Sequence, residues 1–394
     1  MRYRTLLLTG LATGAAVAVP ASGALGAVAA IQDDRLVSAP IETIDARLDT
    51  LKQTRARVAR VDVFWSEVAP TRPARPTDPA DPSYVWTRVD AKIAGLKARG
   101  IRPIVSVYST PSWSSGGRVA SDTQYNPNAP RAGDYGRFMA AIARRYSGRY
   151  PAPAYSTGAA TLPEVRHWEV WNEPNLRSFF RRGSSSSVAA YLQLLREAYP
   201  QIKRANPRAT VIAGVAGPRS TSGEGSIGAR QWLRAIARAP LSVKFDAYSQ
   251  HIYPSAAPVS RTRAFPSWNS IDEILLTLDE RRLREIRAAR GAARTRLQRA
   301  PRMRLFITEA GYTTSRTRFR NVRVTERQQV NYMRQIFRLP QVRNPRVPVI
   351  VWFNMQDNAD WPAGLLRANG TRKPSWAAFR ALAPQGRLTA DLRP

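Results

Sequence analysis

The 394-residue chain contains no cysteine, which removes disulfides, thiolate metal sites and cysteine nucleophiles together. Histidine is almost as scarce. His167 and His251 are the only two, so a histidine-based zinc site would need both of them plus carboxylates. Neither a metal nor another cofactor is expected. Lysine occurs only at positions 52, 92, 97, 203, 244 and 373, although Lys and Arg together number 61 against 28 acids, so the formal charge of +33 is almost wholly arginine. Past the N-terminal leader no apolar run approaches the ~20 residues of a membrane-spanning helix. With 43% hydrophobic residues the chain can still bury one large core, and neither a linker nor an internal repeat divides it.

The one long apolar stretch lies at the N-terminus. Arg2 and Arg4 precede an apolar run over 6–19 and small residues over 21–30, the layout of a signal peptide. Residues 1–27 are read as that leader, with cleavage somewhere from 24 to 29, and the expected location is secreted or cell-surface. Residues 28–384 form one domain, and 385–394 an irregular tail. Charge this high favours anionic polymers such as acidic polysaccharide or cell-wall phosphate. The arginines are nevertheless spread through every helix, and the densest run, 281–299, alternates with Leu283, Ile286 and alanines as a solvated face would. No nucleic-acid motif accompanies them, so nucleic acid is not an expected partner; nor is a membrane once the leader is removed.

Strand-like segments recur at Val28–Gln32, Val58–Phe64, 101–107, 165–171, 210–213, 243–249, 304–308 and 347–353. Between them lie apolar residues at helical spacing, such as Ile44, Leu48 and Leu51, or Ile274, Leu275 and Leu278. Eight alternating units of about 40 residues each predict an α/β fold, a (β/α)8 TIM barrel, whose chemistry gathers where strands end.

Two strand ends carry glutamates. Glu173 closes Trp168-Glu169-Val170-Trp171-Asn172-Glu173-Pro174-Asn175, where Pro174 stops the strand. Glu309 follows the apolar Leu305, Phe306 and Ile307 and precedes Ala310 and Gly311. Strands four and seven face each other across an eight-stranded barrel, so the two carboxylates can meet. Opposed carboxylates suit glycoside hydrolysis, one protonating the leaving oxygen and the other attacking the anomeric carbon. Glu169 shares a face with Glu173 but lies deeper and is read as a partnered interior group. Other polar residues near strand ends are Arg60, His251 and Tyr253. Asp33, Asp34, Asp62, Asp357 and Asp360 are candidate ligands for sugar hydroxyls, although each is also a common turn residue. Of Trp113, Trp268, Trp352 and Trp361, the strand-end Trp352 is the favoured ring to stack on a sugar.

Taken together these residues resemble the retaining glycoside hydrolases of clan A, and among them families 39 and 5. Trp171-Asn172-Glu173-Pro174 is similar to that clan's strand-four signature, and Thr308-Glu309-Ala310-Gly311 to its strand-seven signature. The resemblance implies Glu173 as acid/base and Glu309 as nucleophile. It implies that Asn172 holds the sugar 2-hydroxyl and that Arg60 supports the nucleophile's charge. His251 and Tyr253 would line the −1 subsite, with Trp352 as its aromatic floor. The implied substrate is a β-linked oligo- or polysaccharide. Family 39 β-xylosidases usually carry an accessory β-sandwich, and no stretch here is long enough for one, which leaves room for endo action. A non-catalytic carbohydrate binder and a cationic holder of anionic polymer are alternative uses of such a barrel, and a transglycosylase would share every residue named.

Overall fold

Eight strands pair in parallel and in chain order: β1 (Val28–Gln32), β2 (Val58–Phe64), β3 (Arg102–Tyr108), β4 (His167–Val170), β5 (Thr210–Ala216), β6 (Ala247–Ile252), β7 (Arg304–Ala310) and β8 (Val349–Phe353). β8 then closes on β1, with Val28 opposite Val349 and Gln32 opposite Phe353. The computed structural model describes residues 26–121, 123–155, 159–181, 187–318, 320 and 322–392. Nearly all of the expected leader, residues 1–25, lies outside them. The architecture is the (β/α)8 barrel that the alternating pattern predicts.

Helices run between strands and on the outside: α1 (Ile41–Gln53), α2 (Trp65–Val68), α3 (Thr87–Ala98), α4 (Ala132–Arg145), α5 (Ser187–Ala205), α6 (Ala229–Ala237), α7 (Ile271–Ala288), α8 (Gly291–Arg299), α9 (Glu326–Ile336) and α10 (Pro374–Leu382). Their starts carry recognisable chemistry. Thr325 and Gln328 form a reciprocal capping box on α9, and Pro374 occupies the first turn of α10, where no N–H is needed. Among the described residues none of the helices is long and apolar enough to cross a membrane.

Strand alternation sorts side chains into two cores. Ile31, Val61, Val105, Trp168, Leu305, Ile307 and Ile350 face outward and pack under the helices. Val28, Ala30, Val58, Ile104, Ile212, Ala247, Phe306, Val349 and Val351 fill the lower lumen. Leu392 joins this inner cluster with no solvent exposure, and Leu388 packs against it. The segment expected as an irregular tail therefore includes a 3-10 turn, Ala390–Leu392, that plugs the barrel floor. Burying Leu392 in this floor contributes about 1.5–3 kcal/mol.

Two local expectations shift. β6 begins four residues later than its apolar run suggests, because Arg281 donates to the carbonyls of Ala239 and Val243 and holds that stretch as a loop. The segment after α7 adds α8, a helix with no buried residue.

Candidate active site

The strand-four glutamate stands on a strained turn. β4 ends at Val170, after which Trp171 (φ 71°) and Glu173 (φ 41°) adopt the left-handed region that costs a side-chain-bearing residue about 1–3 kcal/mol. Surrounding bonds hold the turn. Ser106 Oγ donates to Trp171 O (3.2 Å), Trp171 N donates to Tyr135 Oη (3.3 Å), and Trp171 Nε1 donates to Phe179 O (2.8 Å). Asn175 Oδ1 accepts from Gly217 N (2.7 Å), tying the turn to the segment after β5. Gly217 leaves room for the acid, since a Cβ there would lie 2.5 Å from Leu176 Cδ1 and 2.9 Å from Glu173 Cδ.

Glu309 reaches the mouth by a different device. The β6–β7 register slips by one residue between the pairs Ser249–Phe306 and His251–Glu309. That irregularity lets Thr308 bond to Ser249 inside the barrel while the next residue, Glu309, is also aimed inward.

Arg60, buried on β2, joins the two halves. Its Nε donates to Glu169 (2.7 Å). Nη1 donates to Gln32 Oε1 and Glu309 Oε1 (both 2.8 Å), and Nη2 donates to Asn172 Oδ1 (2.7 Å) and Ser106 Oγ (3.1 Å). Asp62 lies 3.1 Å from Nη1. All five guanidinium N–H groups thus have partners. The other oxygen of Glu309, Oε2, accepts from the Tyr253 hydroxyl (2.7 Å) and lies 3.4 Å from His251 Nδ1. Glu173 Oε1 is 2.7 Å from the same Nδ1. One oxygen of each glutamate and the histidine nitrogen all lie within 4.8 Å of one another.

Burial pushes Glu173 up to about 8, because the Arg60 charge that opposes the shift is shared and Asp62 adds to it. Burial also raises Glu309, to about 7, against the charges of His251 and Arg60. Two donors, Arg60 and the Tyr253 hydroxyl, sit on the oxygens of Glu309 and favour its anion. His251 is pushed below its usual range by burial, with Glu309 partly opposing. Glu173 thus suits a proton donor and Glu309 an anion. The trio Glu173, His251 and Glu309 also has a donor set able to grip a divalent ion, but Arg60 beside Glu309 opposes a second cation there.

The structure brings together Glu173, Glu309, Arg60, Asn172, His251 and Tyr253. Trp352 does not join them. It faces outward with Ile350 in the layer beneath the helices, 1% exposed, and its Nε1 donates to Ala363 O. Val349, Val351 and then Phe353 form the inward row, so the half-buried Phe353 holds the place expected for Trp352. Val349–Phe353 is apolar throughout and therefore gives no phase for the alternation. Trp361, from the loop after β8, completes the aromatic wall, its ring 4.6 Å from Tyr253 and 6.0 Å from Phe353. Sequence reasoning also missed Gln32, Ser106, Tyr108 and Gly217. The polar residues among them sit on the inward register of Arg60 and Asp62, which is the signal that could have found them.

Residues 68–316, both glutamates included, match the profile of glycosyl hydrolases family 39. The chain belongs to that family. A β-xylosidase from Geobacillus stearothermophilus is 27% identical over 240 residues, 59% of this chain. The chain spans about two fifths of that relative's length, 41%. A family 39 β-xylosidase structure from Caulobacter crescentus is 20% identical with a TM-score of 0.59, covering 92% of this chain and 73% of that one. A glucosidase structure from Croceicoccus marinus is 15% identical with a TM-score of 0.62, covering 92% and 68%. These two likenesses speak for the barrel fold.

Proposed function

We propose that this family 39 chain is a retaining glycoside hydrolase acting on β-linked oligo- or polysaccharides. The observation that carries the reading is the carboxylate geometry. Oxygens of Glu173 and Glu309 stand within 4.8 Å of each other, which suits direct attack and leaves no space for a water between Glu309 and the anomeric carbon. Protonated Glu173 gives its proton to the glycosidic oxygen as that bond breaks, while Glu309 attacks the anomeric carbon and forms a glycosyl ester. Glu173, now a carboxylate, takes a proton from water. The water's oxygen displaces Glu309 and restores both groups. Asp62, Glu169 and Glu309 surround one guanidinium, so the mouth carries an excess of negative charge that favours an oxocarbenium-like transition state. Asn172, whose Oδ1 is fixed by Arg60, offers its amide N–H groups to the sugar 2-hydroxyl.

The test is the configuration of the first product by proton NMR. The β anomer released first from an aryl β-glycoside supports the double displacement, and the α anomer would overturn it.

We further infer export, with a cut ahead of β1, since removal of Val28 or Ala29 would shorten the strand that pairs with β8. The exterior suits anionic polysaccharide or cell-wall polymer. α8 exposes Arg294, Arg296 and Arg299, and no acid occurs between Glu285 and Glu309. Strongly salt-dependent retention on an acidic polysaccharide column, lost when these arginines become glutamine, is the expected behaviour; unchanged retention would contradict it.

A further inference from the structure

Side-chain partners separate five aspartates that are equivalent in the sequence. Asp33 is taken by Arg47, through Nε at 2.8 Å and Nη2 at 2.6 Å. Asp62 accepts from Gln32 (3.1 Å) and the Tyr108 hydroxyl (3.0 Å) and pairs with Arg60. Asp357 is held by Lys373 (2.7 Å) and Gly364 N (2.7 Å). Asp360 forks with Arg318 at the rim, 2.9 Å on both arms. Asp34 differs from all four. Its carboxylate meets only two amide donors, both long, Gln32 Nε2 at 3.4 Å and Asn358 Nδ2 at 3.3 Å, and has no ion pair among the described residues.

Asp34 is nevertheless fixed. Its backbone N–H donates to Asn354 Oδ1 (3.0 Å), which anchors it where β1 and β8 meet. The Gln32 amide that faces it also faces Asp62, and the same side chain accepts from Arg60, which bonds Glu309. Asp34 is therefore a half-buried carboxylate, two side chains from the nucleophile, with acceptor capacity left over. Burial, with the neighbouring charges of Asp62 and Glu309, raises its carboxyl well above the usual range. Hydroxyl donors relieve such a group, and a second anion aggravates it.

Among the described residues, the arginines that Asp34's neighbours bring to the mouth floor have their donors engaged. Arg60 has five hydrogen-bond partners and pairs with Asp62 as well. Arg47 is occupied by Asp33 and Gln356, and Arg320 by the carbonyls of Tyr253 and Pro254. The mouth thus opposes in sign the strongly basic exterior. Asp34 lies outside the 68–316 family match, so that match says nothing of it.

We propose that Asp34 is a glycone-binding residue that accepts hydroxyl hydrogens from a neutral sugar and makes the mouth reject a sugar bearing a carboxylate. The proposal rests on the glycosidase reading of this site. Its test uses the full chain with 4-nitrophenyl β-xyloside, β-xylobioside, β-glucoside and β-cellobioside, and with 4-nitrophenyl β-glucuronide. The neutral glycoside turned over best should exceed the glucuronide by at least ~100-fold in kcat/KM. On that glycoside Asp34→Asn should lose about 10-fold and Asp34→Ala about 100-fold in kcat/KM, with Tm held near wild type. A monodeoxy series of the same glycoside supplies a readout that a structural role does not move. At one ring position the missing hydroxyl should cost wild type about 10-fold and Asp34→Ala nothing further.

Three outcomes overturn the proposal while leaving the glycosidase reading intact. They are an active wild type whose Asp34 variants stay within twofold, a glucuronide turned over as well as the neutral sugars, and deoxy penalties identical in both proteins. A wild type inert on every β-glycoside would remove the glycosidase reading, and this proposal with it.

Discussion

The barrel carries a histidine–carboxylate pair at each end, and the two pairs behave in opposite ways. In the mouth His251 Nδ1 lies 2.7 Å from Glu173; at the floor His167 Nε2 lies 2.9 Å from Asp391. Both histidines are pushed below their usual range by burial. Their carboxylates diverge. Burial raises Glu173 to about 8, whereas Asp391, despite the same penalty, is held well below the usual range by His167 and Arg304. Arg304 lies 2.7 Å from Asp391 and, among the described residues, pairs with no other carboxylate. Arg60 near Glu173 already serves Glu169, Glu309 and Asp62. The same residue types thus close a barrel where each anion has its own cation, and make an acid where several anions compete for one.

The largest expected contrast is in activity. Glu309→Ala should lower kcat by at least ~10⁴-fold while the protein stays folded, as read by single-turnover kinetics and far-UV circular dichroism. Full activity in that variant would refute the nucleophile assignment. Glu173→Gln comes next, with a loss of about 10²–10⁴-fold on substrates with poor leaving groups. The wild-type pH profile should rise as Glu309 ionises and fall as Glu173 loses its proton near 8, and the variant should lack the alkaline fall. Stability runs the other way. The folded pKa of Glu173 lies above its unfolded value of 4.5, so wild type loses stability as pH rises from there to about 8. Glu173→Gln should therefore melt higher than wild type at pH 9 and alike near pH 4, and a lower melting point at pH 9 would contradict the account.

Gly217→Ala places a methyl group 2.5 Å from Leu176 Cδ1 and 2.9 Å from Glu173 Cδ, and should cost about 10–100-fold in kcat by shifting the acid along with its leucine neighbour. An unaffected kcat would mean that this wall of the site gives way. Smallest in activity is Asp391→Asn at the floor. It should leave kcat/KM within about threefold but destabilise by about 1–2 kcal/mol at pH 7, measured by urea unfolding. That loss should vanish as pH falls through the depressed folded pKa of Asp391. A large activity loss here would erase the distinction between the two ends.

Much of this was legible in the residues. Alternating strand and helix patterns gave the barrel, and polar residues at strand ends gave Glu173, Glu309, Arg60, His251 and Tyr253. What escaped was direction. An apolar strand buried on both faces has no period to read, so the sequence offers Trp352 for the place that Phe353 holds. The β6–β7 register slip that aims Glu309 and the positive φ of Glu173 depend on neighbouring strands, not on local sequence. The five aspartates looked alike because their differences lie in partners up to hundreds of residues away. Asp34 N, for example, donates to Asn354.

The central claim is that Glu309 forms a covalent bond to the sugar and Glu173 does not. Incubation with an activated 2-deoxy-2-fluoro β-glycoside slows breakdown of such an ester, and peptide mass spectrometry then locates the sugar. The account predicts one glycosyl group per chain on the peptide containing Glu309, absent from Glu309→Ala. A label on Glu173, or none on a chain that still turns over aryl glycosides, would contradict it.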